Sequence, residues 1–380
     1  MPDDQEVHKG LEGIIVNETK IGYVDGQKGR LVYRGYDIET LASKSNFEEV
    51  SYLLINGKLP SREQFSEFNR KARERMKLPG NVVEFIEKNC GHSHPMSDLR
   101  TVVSFLGALD ANSNSSDLNL QKSMGEDIIF RMPGIVAAIK RKWEGKSIIE
   151  PLPDLGMAAN FLYMSSGRKP TEEEEKVMDT CLILHADHGS NASTFSSMVT
   201  ISTLADMYSA LTAGIATLKG PLHGGANEQA LKMIKRVGSP ENAERVIGEM
   251  LGKKEKVMGF GHRVYKVYDP RARILKEFAR SISAKSGKQE LFETAEAIEK
   301  AMISKVGGKG IFPNVDFYSG MVYESLGFEE NIFTPIFAFS RSAGWVARSL
   351  EYVSDNRLFR PRSKYSGEMG PIEYVPLEKR

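Results

Sequence analysis

Apolar side chains recur every three or four residues along most of the chain after residue 36. This spacing is typical of amphipathic helices that bury one face. Residues 226–237 are a clear case, because Leu231, Ile234 and Val237 fall on one side of the predicted helix. Strand patterns do not recur between these segments, which disfavours a sheet with helices wound around it. We therefore predict a mainly all-α fold.

The first 35 residues follow a different pattern. Residues 13–16, 20–24 and 30–33 alternate polar and apolar side chains or carry β-branched ones. Asp25 and Gly26, a favoured pair in tight turns, stand between the second and third runs. The pattern predicts a small β-hairpin in this region.

Helix starts are marked by two kinds of signal. A Ser or Thr three residues before a Glu or Gln forms a capping box, and proline fits the first turn of a helix. Four glutamates at residues 172–175 fit such a first turn, where the helix dipole favours negative charge, better than they fit a metal site. The predicted starts are Ser61 with Gln64, Thr171 with Glu174, Ser239 before Pro240, and Asp269 before Pro270.

Residues 193–218 form a long apolar stretch that is rich in Ala, Ser, Thr and Gly. Asp206 and the many hydroxyl groups argue against a membrane span, and no run of about 18 uninterrupted apolar residues exists elsewhere. Small side chains let neighbouring helices approach closely. We expect a central helix here.

Composition and charge narrow the class of protein. A chain of 380 residues suggests about two domains. The 51 basic and 50 acidic side chains leave little net field for nucleic acid or an acidic membrane, so anions must be recognised locally. Cys90 and Cys181 cannot build a disulfide framework, and Cys181 lies in an apolar run where a buried thiol is expected rather than a nucleophile. Residues 1–6 are acidic and lack signal-peptide features, so we expect a cytoplasmic protein.

His223 is the first candidate for chemistry. It stands in a turn with Pro221, Gly224 and Gly225, directly before the predicted helix at residues 226–237. The glycines let the backbone approach a ligand closely, and the positive end of the helix dipole disfavours a protonated imidazole. We predict a neutral ring that donates one hydrogen bond and accepts another.

Two histidines near Cys181 have different expected roles. His185 shares a helix face with Cys181, which indicates a structural side chain in the core. His188 lies at the end of that helix beside Gly189 and is free to point into a cavity.

Residues 258–271 combine glycines with basic side chains. Gly259 and Gly261 permit close approach to a ligand, and His262 follows them directly. Arg271 falls in the first turn of a predicted helix, where the dipole disfavours a cation. We therefore expect Arg271 to face an anion.

Asp316 and Arg341 complete the candidates. Asp316 lies at the start of a predicted helix that runs to about Leu326. Plain N-capping explains that position, but a carboxylate kept ionised there also suits a general base. Arg341 lies in an apolar helix predicted over residues 333–353, and a buried guanidinium needs an anionic partner.

These motifs resemble the citrate synthase family, in its shorter bacterial and archaeal form. The similarity covers nearly the whole chain, from residues 33–36 through residues 94–96 to the Arg-Pro-Arg sequence at residues 360–362. The resemblance implies a mostly helical homodimer whose two domains close over substrates. The implied large domain holds residues 1–220 and 327–380, and the small domain holds residues 221–326.

The resemblance also implies an activity: condensation of oxaloacetate with acetyl-CoA and hydrolysis of the resulting citryl-CoA, without a metal or other cofactor. It implies that His223 steadies the enol oxygen of acetyl-CoA, that Asp316 removes the methyl proton, and that His262 polarises the oxaloacetate carbonyl. The remaining implied contacts are His188, Arg271 and Arg341 for oxaloacetate, Arg360 across the dimer interface, and Lys266, Gly259, Phe260 and Gly261 for CoA.

Three other functions stay open. A 2-methylcitrate synthase has the same fold and catalytic residues, and one methylene of substrate changes binding by only about 1–3 kcal/mol. A scaffold of the same fold would not need Asp316 for its function. A metal-dependent hydrolase could use several histidines as ligands, although a His-Glu-x-x-His motif is absent. Those histidines are His185, His188, His223 and His262.

Two positions depart from the family pattern. Ser190 stands where many members carry a bulky or acidic residue, and Arg348 replaces the histidine of a common Gly-Trp-x-Ala-His sequence. Neither belongs to the implied catalytic residues. Any effect of Arg348 is expected in packing or at the dimer interface.

Overall fold

The computed structural model describes residues 7–380 and is mainly helical, which confirms the predicted fold class. The helix predicted at residues 226–237 is present with the same bounds. The described residues form helices α1 (Ile38–Lys44), α2 (Phe47–Asn56), α3 (Arg62–Met76), α4 (Gly80–Asn89), α5 (Pro95–Leu109), α6 (Leu118–Trp143), α7 (Met157–Ser166), α8 (Glu172–His185), α9 (Ala192–Ile201), α10 (Met207–Leu218), α11 (Ala226–Val237), α12 (Ala243–Gly252), α13 (Pro270–Lys285), α14 (Gln289–Val306), α15 (Val315–Ser325) and α16 (Glu330–Ser354).

A small antiparallel sheet precedes the helices. Strands β1 (Gly22–Asp25) and β2 (Arg30–Tyr33) form the predicted hairpin, with Asp25 paired to Arg30 across the turn. A third strand, β3 (Tyr36–Asp37), pairs with β2 and was not predicted, because two residues are too few to show an alternating pattern. The strand-like pattern at residues 13–16 proved wrong: these residues form no strand and are mostly exposed.

Polar side chains begin several helices as predicted. Both capping boxes are present; in the second, the Thr171 hydroxyl accepts from the Glu174 backbone and the Glu174 carboxylate accepts from the Thr171 backbone. Asp269 caps α13 through a bond from the Arg271 N–H. Ser239 makes no capping bond, and a short 3-10 turn (Pro240–Asn242) separates it from α12.

The predicted central helix at residues 193–218 is instead two helices, α9 and α10, packed against each other. The chain leaves α9 after Ile201 and passes through Leu204, which has a positive φ of 65°. Asp206 then accepts a hydrogen bond from the Ser209 N–H and begins α10. The apolar pattern alone did not reveal this break, because a capping aspartate and an exposed aspartate look alike in sequence.

Two groups of helices surround the candidate residues. Helix α16 packs on α2, α5, α6, α8, α9 and α10, and every residue from Ile332 to Ser349 is buried. Helices α11 to α15 pack mainly on one another, through the pairs α13 with α15, α11 with α15, and α12 with α14. The two groups meet where α11 and α15 contact α16 and where α13 contacts α8.

Burial and helix length settle two further points. Cys90 and Cys181 are free thiols with about 1% or less of their surface exposed, as expected for core cysteines. Across residues 7–380, no helix is both long and apolar enough to cross a membrane.

Candidate active site

His223 lies in the turn that joins α10 to α11. The turn folds back on α10, since the Gly224 N–H donates to the Leu218 carbonyl at 3.0 Å and the His223 N–H donates to that of Gly220 at 2.9 Å. A Cβ atom on Gly224 would come within 2.3 Å of the same Leu218 oxygen, so the fold requires glycine there. The turn thereby fixes the backbone at His223.

The His223 ring is neutral, as predicted, but burial rather than the helix dipole is the main cause. Burial, assisted by the positive charge of Arg341, lowers the pKa of His223 to about 4. Its Nε2 accepts from the Ser193 N–H at 3.3 Å and lies 2.8 Å from the Ser193 hydroxyl. Because a backbone N–H only donates, the ring proton belongs on Nδ1, which is then a hydrogen-bond donor.

His262 lies in the loop between α12 and α13 with the opposite tautomer. Its Nδ1 accepts from the N–H groups of Val264 at 3.0 Å and Tyr265 at 3.2 Å, so its proton belongs on Nε2. Burial, with a contribution from Arg271, lowers the pKa of His262 to about 4. His262 is therefore a second neutral donor.

His185 has the structural place in the core that its position predicts, and His188 lies beside His262. His188 lies beyond the end of α8, with Nε2 at 3.2 Å from the Tyr265 hydroxyl and its ring centroid at 5.1 Å from that of His262. Burial holds the pKa of His188 well below its ordinary value. His185 is fully buried and donates from Nδ1 to the Cys181 carbonyl at 2.8 Å.

Arg271 has its anion within the chain. Two guanidinium nitrogens lie 3.1 and 2.8 Å from the carboxylate of Asp269, and both side chains are almost fully buried. Burial lowers the pKa of Arg271, but attraction to Asp269 outweighs it and the net pKa is raised. The Asp269 carboxylate also accepts from the Val315 N–H at 3.2 Å, so it ties α13 to the start of α15.

Arg341 is a deeply buried guanidinium that forms no ion pair with a carboxylate among the residues described. It is 1% exposed, donates from Nε to the His185 carbonyl at 2.6 Å, and lies over the Phe337 ring at 4.7 Å. Burial lowers the pKa of Arg341 to about 10, which still leaves it charged at neutral pH. A buried, uncompensated cation favours an anionic ligand.

Asp316 is the second residue of α15 and does not cap it, which corrects the N-capping explanation. The cap is Asn314, whose side chain accepts from the Asp316 N–H at 3.0 Å. The Asp316 carboxylate is buried, and its Oδ1 has no hydrogen-bond partner within residues 7–380. Burial raises the pKa of Asp316 to about 6, although Arg271 and Arg341 oppose the rise. It is thus an ionised base at neutral pH with more proton affinity than an exposed aspartate.

A cavity of about 250 Å³ opens beside His262. Gly259 and Gly261 have φ values of 79° and 77°, and a Cβ atom on Gly259 would come within 2.8 Å of Phe317. Gly259 therefore allows the loop to lie against α15, whereas the approach of both glycines to a ligand stays a prediction. The cavity is lined by Ala226, Lys256, Met258, Gly259, Phe260, Gly261, His262, Arg263 and Asn314.

The loop around this cavity includes one of the predicted basic contacts, Lys266, and one that was missed, Lys256. Lys266 is exposed and directs its ammonium group toward the Arg263 carbonyl at 3.5 Å. Lys256 lines the cavity and lowers the pKa of Asp316 slightly, yet nothing in its sequence neighbourhood set it apart from Lys253 and Lys254. Arg360 does not join the site: it is exposed after α16 and donates to the Pro361 carbonyl at 2.8 Å.

Comparison with known proteins gives a consistent result. A family model described as citrate synthase, C-terminal domain, matches residues 10–362. The chain is 44% identical to a citrate synthase of Deinococcus radiodurans over 374 residues, covering 98% of this chain and 99% of that relative. The chain belongs to the citrate synthase family.

Two further matches are to proteins whose names state a ligand or a product. A solved structure from Thermoplasma acidophilum, described as a ternary complex of carboxymethyl coenzyme A and oxaloacetate with citrate synthase, has a TM-score of 0.94 and 38% identity, covering 99% of this chain and 100% of that one. A protein named 2-methylcitrate synthase 1 from Corynebacterium glutamicum is 39% identical, with 99% of both chains covered.

The geometry gives the metal-dependent hydrolase no support. Within residues 7–380, no group of three His, Cys, Asp or Glu side chains is arranged to hold a metal ion. One nitrogen of His185 is committed to a backbone carbonyl, and both His223 and His262 use one ring nitrogen to accept from backbone N–H groups.

Proposed function

We propose that this chain condenses oxaloacetate with acetyl-CoA and hydrolyses the citryl-CoA product to citrate and CoA. The proposal rests on one observation: a buried site combines a carboxylate that can act as a base with two neutral imidazole rings that can donate hydrogen bonds. Asp316 is a carboxylate with a free oxygen and a pKa of about 6, whereas His223 and His262 are neutral donors. The name of the Thermoplasma complex, which holds oxaloacetate and a CoA derivative, supports the same pair of substrates.

The first step is formation of an enol from acetyl-CoA. The methyl protons of a thioester are far too weakly acidic for a carboxylate to remove unaided. In our proposal Asp316 accepts the proton while the Nδ1–H of His223 donates to the thioester oxygen, where negative charge develops. A buried donor with a fixed orientation stabilises that charge more than water would, because it needs no reorganisation.

The second step joins the two substrates. The enol carbon attacks the ketone carbon of oxaloacetate as the thioester carbonyl re-forms, and the Nε2–H of His262 passes to the ketone oxygen, which becomes an alcohol. The proton that Asp316 took from the methyl group balances the one that His262 gives up. Arg341, Arg271 and His188 hold the substrate carboxylates, for which a forked guanidinium is well suited. Water then attacks the thioester of citryl-CoA, and CoA leaves as the free thiol.

We also propose that the two helix groups correspond to two domains that close over the substrates, with residues 221–326 as the small domain. The glycine loop at residues 259–261 and Lys266 would contact CoA. No metal or other cofactor takes part in the proposed steps, and the proposed location is the cytoplasm.

A homodimer is the proposed assembly. The segment after α16 exposes large apolar side chains, and a patch of this kind marks a surface that another chain covers. A second copy of this chain would bury it and bring Arg360 to the partner's site. The exposed fractions are 66% for Tyr365, 86% for Met369, 70% for Ile372 and 77% for Tyr374.

A thiol-release assay tests the activity. The purified protein is incubated with oxaloacetate and either acetyl-CoA or propionyl-CoA, and free CoA is measured. We expect oxaloacetate-dependent release with acetyl-CoA as the better substrate. A preference for propionyl-CoA would instead identify a 2-methylcitrate synthase. The similarity to the Corynebacterium protein of that name is the reason to test this alternative. Release with neither substrate would contradict both activities.

A further inference from the structure

Arg348 and Asp187 form a buried, forked ion pair. The Nε of Arg348 lies 2.8 Å from Oδ1 of Asp187, and Nη2 lies 2.7 Å from Oδ2. The two side chains are 2% and 0% exposed. The remaining guanidinium nitrogen, Nη1, donates to the Thr19 hydroxyl at 3.2 Å. Nothing in the proposed reaction uses this pair directly.

Asp187 lies in the turn that carries His188. Its backbone is fixed by one hydroxyl: Tyr33 donates to the Asp187 carbonyl at 2.8 Å and accepts from the Asp187 N–H at 3.1 Å. Helix α16 presses against the same turn at Gly344, where a Cβ atom would come within 2.2 Å of the Ala186 oxygen. The turn is therefore held by contacts that do not need the charge of Arg348.

The pair also lies close to Arg341. Gly344 and Arg348 lie three and seven residues after Arg341 on α16, so the three residues share the face that contacts the turn. Arg341 donates to the carbonyl of His185, two residues before Asp187. After burial, the attraction of Asp187 is the largest influence on the pKa of Arg341. Asp187 is thus the carboxylate that acts most strongly on the charge that a bound substrate would use.

The charge of Asp187 is balanced by Arg348 rather than by Arg341. Both carboxylate oxygens of Asp187 are taken by Arg348, and the structure shows no ion pair between Asp187 and Arg341. Without the charge of Arg348, Asp187 would be a buried anion without its cation. Such an anion would attract Arg341 and repel a dicarboxylate substrate in a site of low dielectric.

We propose that Arg348 is a positioning residue for oxaloacetate: by occupying Asp187 it keeps the Arg341 guanidinium available to a carboxylate of the substrate. This inference rests on the proposed function.

The test uses charge rescue. Arg348→Gln removes the cation, and we expect the KM for oxaloacetate to rise about tenfold or more, while the KM for acetyl-CoA and kcat at saturating oxaloacetate change little. In Arg348→Gln/Asp187→Asn the uncompensated anion is gone as well, and we expect the KM for oxaloacetate to return most of the way to that of the wild type. If the pair only supports the fold, the double variant would bind as weakly as the single one or more weakly, which would overturn the proposal.

Arg348→Lys keeps a charge without the fork and covers the case in which Arg348→Gln fails to fold. We expect its KM for oxaloacetate to stay nearer to wild type than that of Arg348→Gln. An equal rise of KM in both variants would overturn the charge argument. If Arg348→Gln is unfolded, a tenfold rise of KM in Arg348→Lys would overturn it as well. Arg131→Gln is the matched control, because Arg131 forms a largely buried pair with Asp127 on α6. Its KM should not change.

Direct calorimetry separates this inference from the proposed function. Oxaloacetate is titrated into the wild type and into each variant at equal ionic strength. If the wild type binds no oxaloacetate and releases no thiol, the proposed function has failed. If the wild type binds oxaloacetate and Arg348→Gln binds it equally well, the function stands and the role of Arg348 is refuted.

Discussion

At the scale of single residues, burial gives the site its chemistry. His223 and His262 lose proton affinity and Asp316 gains it, in each case mainly because a charged group is costly away from water. The sequence predicted the residue types from glycine-rich turns and helix starts. It did not predict the contribution of Ser193, because that hydroxyl comes from α9 and reaches His223 only after the chain has folded.

The pH dependence follows from these shifts. Asp316 has a raised pKa of about 6 and acts when ionised, so kcat/KM for acetyl-CoA should fall about tenfold per pH unit below pH 6 and level off above about pH 7. His223 and His262, with pKa values of about 4, stay neutral over that range and add no further inflection to the pH profile. Thiol release measured from about pH 5 to pH 8 checks this. A flat profile would contradict the assignment of Asp316 as the base.

Removing the base separates catalysis from binding. In Asp316→Asn we expect kcat to fall by about 10²–10⁴, because a positioned general base contributes that much, while oxaloacetate still binds. Thiol release and calorimetry measure the two effects. Asp98→Asn is the control, since Asp98 is buried but accepts from Gly91 and Trp143 in α6 rather than lying in the site. Unchanged thiol release in Asp316→Asn would refute Asp316 as the base.

At the scale of elements, helix type was predictable and helix limits were less so. The helix around Arg341 was predicted at residues 333–353 and extends over Glu330–Ser354. The break before Asp206 was missed, because it depends on a local bond between a side chain and the backbone rather than on the apolar pattern. Periodicity reports which face is buried, but it does not report where a cap interrupts the helix.

Two helix glycines with different surroundings test how closely the helices pack. In Gly214→Ala of α10, the new Cβ would come within 2.4 Å of the Ser197 hydroxyl and 3.1 Å of the Trp345 ring. We expect unfolding free energy to drop by about 1–3 kcal/mol. In Gly248→Ala of α12 the Cβ meets no atom within 4 Å, and alanine should add up to about 1 kcal/mol through helix propensity. Denaturant titration compares them; equal effects would refute the packing difference.

Asp179 in helix α8 is a buried carboxylate whose effect on the free energy of unfolding depends on pH. Burial, with repulsion from Glu48, raises the pKa of Asp179 to about 7. A raised pKa means that stability is fully present at low pH and is lost as pH rises through about 7. Asp179→Asn keeps an acceptor for the Phe47 N–H and removes that loss, so it should raise the unfolding free energy by on the order of 2 kcal/mol at pH 8 and less at pH 5. Denaturant titrations at both pH values measure the difference, and an equal gain at both would contradict it.

At the scale of the whole molecule, each chain is proposed to supply every residue of its own site except Arg360. A second copy is proposed to supply it, and mixing two inactive variants tests this. Arg360→Ala and Asp316→Asn subunits should each be weakly active alone. Dissociated together and reassociated, they form mixed dimers in which one site has both defects and the other has neither, so about a quarter of wild-type activity should return when half the dimers are mixed. If Arg360 acts within its own chain, every site in a mixed dimer keeps one defect, and mixing restores nothing.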